Sequence, residues 1–88
     1  MCRNIKTLFN FEPEATSDEI RASALQFVRK LSGTNQPSKA NEEAFSLAVV
    51  EVYEAAHKLV HSMVTNAPPK NREIEAERAR ERSLRRFA

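Results

Sequence analysis

The apolar positions of this chain fall into three runs, separated by proline-bearing breaks. In residues 3–11, "RNIKTLFNF", the apolar side chains are Ile5, Leu8, Phe9 and Phe11. That spacing predicts one or two helical turns that plug a core, ended by Glu12-Pro13 because proline pushes its predecessor out of helical geometry. The second run opens at "ATSDEI". Thr16 can cap the backbone while Glu19, three residues on, reaches back to form a capping box. Ile20, Ala24, Phe27, Val28 and Leu31 then recur at helical spacing as one stripe. Gly33 follows as a left-handed C-terminal cap, so a helix is expected over roughly 17–32.

A hinge over 33–37 leads to the third run. Ser38 or Asn41 can cap a helix whose first turn holds Glu42 and Glu43, and which runs to about Val64. Phe45, Ala48, Val49, Val52, Ala56, Leu59, Val60 and Met63 share one face of it, with Tyr53 and Val64 at the edge. This helix is longer than its predecessor, so something else must cover the remainder of its stripe, and the N-terminal plug is the obvious cover. "TNAPPKN" stops it. Beyond lies "REIEAERARERSLRRFA", with good helix formers and the pairs Glu77–Arg80 and Glu81–Arg85. Its apolar Ile74, Leu84 and Phe87 make no continuous stripe. A lone helix of that length is marginal in water, so loose docking or fraying is expected. The division is a helical hairpin with its plug over 1–69 and a charged helix or tail over 70–88.

Composition narrows the class. Eighty-eight residues make one small domain with a modest core and little room for a deep catalytic pocket. A single glycine argues against tight-turned sheets and against a phosphate-cradling loop, and the chain is expected to be all-α. The net charge of +2 is unevenly placed: residues 1–69 sum to −1 and residues 70–88 to +3. One cysteine, Cys2, and no apolar run behind Arg3 and Lys6 lead to the expectation of a cytoplasmic protein without a signal peptide. No apolar stretch approaches the roughly 20 residues of a membrane span.

The order of elements resembles a J domain, the helical module of heat-shock co-chaperones. The likeness rests on Ala15, Thr16, Glu19 and Ile20 at the start of one helix, Glu42, Glu43 and Phe45 at the start of the next, and loosely on Pro69, Lys70 and Arg72. It covers roughly residues 4–75. J domains stimulate an ATPase partner through His-Pro-Asp between these helices, and Gln36-Pro37-Ser38 stands there instead. Glutamine supplies neither a protonatable ring nor a carboxylate. The resemblance therefore implies a J-like hinge without its working groups. The whole chain also resembles a small uncharacterised bacterial family whose members open "MCRNI". That likeness implies a bacterial cytosolic protein and assigns no activity.

Candidate chemistry is sparse. Cys2, with Arg3 and Lys6 nearby, is either a small apolar residue under the plug or a reactive or metal-binding thiol. His57 and His61 have the i, i+4 spacing of a metal-binding pair, but such pairs also arise readily on long helices. Leu47 and Val50 lie nearly opposite the core stripe, either as ordinary exposed apolar residues or as a partner or dimer face. Arg78, Arg82, Arg85 and Arg86 could meet phosphates, yet interleaved glutamates cancel much of their field. No nucleophile–base set or paired-carboxylate cleft can be assembled. The expectation is a non-catalytic protein-interaction module, needing no cofactor, with a protein partner or a second copy bound through Gln36, Pro37, Ser38, Leu47, Val50 or the tail. The alternatives are a nucleic-acid accessory protein, or a metal or redox protein using Cys2, His57 and His61.

Overall fold

The computed structural model describes residues 5–87. Three α-helices, α1 (Ser17–Ser32), α2 (Glu42–Ser62) and α3 (Arg72–Phe87), account for most of them. A two-residue strand β1 (Phe11–Glu12) pairs in parallel with β2 (Lys70–Asn71), Phe11 opposite Lys70 and Glu12 opposite Asn71. The chain is mostly helical, in line with the all-α expectation apart from this strand pair.

α1 forms where its local signals put it. Thr16 Oγ1 accepts from the Glu19 N–H at 3.2 Å and the Thr16 N–H donates to Glu19 Oε1 at 2.9 Å, which completes the capping box. At the far end Gly33 takes φ 74°, a left-handed conformation that favours glycine, and its N–H donates to the Arg29 carbonyl at 2.9 Å. α2 starts at Glu42, the later of the two starts the sequence offers, with Asn41 at the N-cap position and Glu42 and Glu43 in the first turn. A short 3₁₀ turn over Lys39–Asn41 precedes it, and neither Ser38 nor Asn41 caps with its side chain. Instead Asn41 Nδ2 donates to Ser38 Oγ at 3.1 Å, so the two candidate caps satisfy each other. α2 ends at Ser62, where Met63 turns extended and leaves Val64 93% exposed.

The N-terminal helix expected over 3–11 is not formed in the described part of that segment. Phe9 and Asn10 turn, and Phe11 enters β1. The reason lies far along the chain. Asn10 sits at φ 64°, its Nδ2 donates to the Pro68 carbonyl at 3.2 Å, and its own carbonyl accepts from the Lys70 N–H at 2.8 Å. So short a segment gains little from helix nucleation, and these long-range bonds within the chain hold Asn10 in a turn instead.

α1 and α2 pack side by side in opposite directions. Arg21 lies over the Tyr53 ring at 4.4 Å, while toward the connecting loop Val28 and Leu31 line a groove together with Phe45 and Ala48. Among the described residues the buried core is Ile20, Ala24 and Val28, all on α1. The rest of the predicted α1 stripe is not buried: Phe27 is 43% and Leu31 73% exposed. No residue of α2 is fully buried either, and Leu59 and Met63 of its stripe are exposed. Periodicity identified the faces, but among the described residues no third layer covers Phe27 and Leu31 near the loop, and Leu59 and Met63 are exposed at the far end of α2.

Candidate functional site

Two features stand out: a polar latch at the N-terminus of α1 and an apolar groove at its C-terminus. The latch joins α1 to α3. Arg72 Nη2 donates to Glu19 Oε1 at 2.7 Å and Nη1 to Oε2 at 3.0 Å, a two-pronged pair. Arg72 Nε also donates to the Pro13 carbonyl at 2.8 Å. Glu19 thus serves both the capping box and α3. The Arg72 hydrogen bonds, and next the Thr16 backbone N–H, lower its pKa from 4.5 to about 2. The same contact raises the Arg72 pKa. Asn71 Oδ1 accepts from the Ile74 N–H at 3.0 Å, which closes the first turn of α3.

The groove, of about 630 Å³, lies between the end of α1 and the start of α2. Val28, Leu31, Phe45, Ala48 and Val52 give it apolar walls, and Pro37 and Ser38 stand at its loop end. Gln36-Pro37-Ser38 therefore forms a corner. Gln36 is exposed and its carbonyl accepts from Thr34 Oγ1 at 2.6 Å, Pro37 is half-buried, and Ser38 begins the 3₁₀ turn. Arg29 Nε donates to the Asn35 carbonyl at 3.1 Å and steadies the loop from α1.

The other candidates are scattered. Leu47 and Val50 are 57% and 44% exposed on α2 and do not line this groove. Tyr53, His57 and His61 form a ladder along α2, with ring centroids 5.6 Å and then 4.3 Å apart. Cys2 lies outside the described residues. Among the described residues no group of three or more His, Cys, Asp and Glu is placed to hold a metal ion. On α3, Arg78 pairs with Glu75 at 3.4 Å, Arg85 with Glu81 at 3.9 Å, and Arg80 with Glu77. Arg82 instead lines a second groove with Lys6 and Lys70, and none of these three cations is ion-paired among the described residues. Arg86 is exposed.

Neither feature is legible in the sequence. Glu19 was legible as half of a capping box, but nothing local announces a partner 53 positions away. Leu31 and Phe45 were assigned to a sealed core, and the structure leaves them at an open mouth.

This architecture is a small helical protein with an open inter-helix groove. Residues 1–78 match the family described as "Uncharacterized conserved protein (DUF2277)", and the chain belongs to that family. Neither a curated protein nor a solved structure matches it. Among the described residues, no helix is long and apolar enough to cross a membrane.

Proposed function

We propose that this chain is a non-catalytic protein-binding module that receives a partner in the groove between α1 and α2. It is J-like in turning two helices through Gln36-Pro37-Ser38, and unlike a J domain in lacking the His-Pro-Asp groups. The N-terminal helix that such a likeness implies is also replaced by β1, so the resemblance is confined to the helix pair.

One observation carries the reading. The walls of the groove are apolar, yet Leu31 at its rim is 73% exposed. This exposed apolar surface supports the reading, because its contact with water is unfavourable until a partner covers it. The polar groups near the mouth, Ser32, Thr34, Ser38 and Asn41, would suit a polar rim around an apolar centre.

The test is affinity capture from the source cell with wild-type protein and Leu31→Glu. The substituted side chain is already mostly exposed, so helix content by circular dichroism should not change. The wild type is expected to retain proteins, or a second copy of itself, that L31E loses. Identical retention by both, with no self-association of either, would remove the reading.

A further inference from the structure

We propose that the occupant of the groove is a second copy of this chain, so that two α1–α2 pairs close face to face into a four-helix core; the inference rests on the protein-binding reading above. Area is the first argument. A 10.0 kDa chain exposes 7307 Å², where a folded monomer of that mass has about 5,200 Å². The excess is roughly 2,000 Å² over the whole chain, the exposed α3 included, against the ~800 Å² each partner contributes to a stable interface of ordinary size. Part of it lies at the groove, where Leu31 of α1 is 73% exposed beside the half-buried Phe45 and Ala48 of α2.

The second argument is self-complementarity, which a twofold interface demands. The same surface carries both a knob, Leu31, and a hole, the groove floored by Val28 and Val52. Leu31 of each copy can therefore enter the groove of the other, a reciprocal exchange that closes with two chains. Charge agrees with the antiparallel crossings this creates. α1 has Asp18 in its first turn and Arg29 and Lys30 in its last, while α2 has Glu42 and Glu43 in its first and His61 in its last. With Leu31 seated in the other copy's groove, the last turn of α1, carrying Arg29 and Lys30, comes beside the first turn of that copy's α2, carrying Glu42 and Glu43.

Sedimentation velocity of the full chain, from low micromolar concentration upward, tests this. The wild type is expected to double its mass from 10.0 kDa as concentration rises. Leu31→Glu should weaken association more than about thirty-fold, as loss of a central anchor does. Leu31→Ala, which brings no charge, should weaken it less. Leu47→Glu, outside the groove, should leave it intact. A wild type that stays monomeric throughout overturns the second copy as occupant; if L31E still loses captured proteins, the partner is a different chain and the module reading stands. Association broken by L47E and spared by L31E overturns this face as the interface.

Discussion

At the scale of single residues, Glu19 concentrates more structural work than any other described side chain. Its carboxylate accepts from the Thr16 backbone N–H at the start of α1 and from both terminal nitrogens of Arg72. All of these bonds favour the ionised form, which is why its pKa falls to about 2. A group whose folded pKa is depressed contributes stability that is complete above its unfolded value, 4.5, and is lost as pH falls toward 2. Solvent reaches about a third of both side chains, so the contribution is modest. Glu19→Gln should therefore be less stable than the wild type at neutral pH, with the gap narrowing from pH 4.5 down to about 2. Urea midpoints measured across that range check it. A gap that stays constant would mean that the charge of Glu19 contributes nothing.

At the scale of elements, α3 depends on how its first turn is held. Its own side-chain pairs are three i, i+3 or i, i+4 ion pairs on exposed surface, and such pairs contribute little. Sixteen residues of this kind would be a marginal helix alone, so the Arg72 latch and the β1–β2 pairing account for its docking. Arg72→Lys keeps the charge but cannot present the planar fork that bridges both Glu19 oxygens. Amide hydrogen exchange across residues 72–87 should accelerate in Arg72→Lys and more so in Arg72→Ala, with the protection of α2 unchanged. Equal protection in all three proteins would show that α3 is held by something else.

The same contrast between local and distant determinants explains what the sequence made legible. α1 was readable to the residue because its cap, stripe and terminal glycine are all encoded within seventeen positions of one another. The segment around Leu8 and Phe9 was misread because its apolar spacing suits a helix as well as a turn and strand. The bonds that decide between them, from Asn10 to Pro68 and Lys70, join parts of the chain almost sixty residues apart. The groove was hidden for a related reason. Helical periodicity places Leu31 and Phe45 on the inner faces of their helices, and carries no information on whether another layer reaches that end.

At the scale of the whole molecule, the radius of gyration is 15.7 Å, where a compact chain of this length would have about 12 Å. The least dimension is 17 Å, room for no more than two helix layers at their usual spacing of about 9 Å. Burial is accordingly one-sided. Ile20 is fully buried, Val28 is 5% exposed, and Leu31, less than one further turn along α1, is 73% exposed. The two ends of α1 should then respond differently to substitution. Ile20→Ala removes packing inside one copy and should cost about 3 kcal/mol, lowering Tm by roughly 10 °C or more. Leu31→Glu touches little within the copy but removes the proposed contact between copies. Ile20 and Leu31 are about 16 Å apart along the helix, far enough for their effects to be nearly independent. For a dimer, Tm rises with protein concentration, because association draws on the folded state alone. Ile20→Ala should thus displace the Tm-against-concentration line downward at unchanged slope, whereas Leu31→Glu should flatten it. Thermal melts over a hundred-fold concentration range separate the two effects. A flat wild-type line would assign the exposed surface to an occupant other than a second copy.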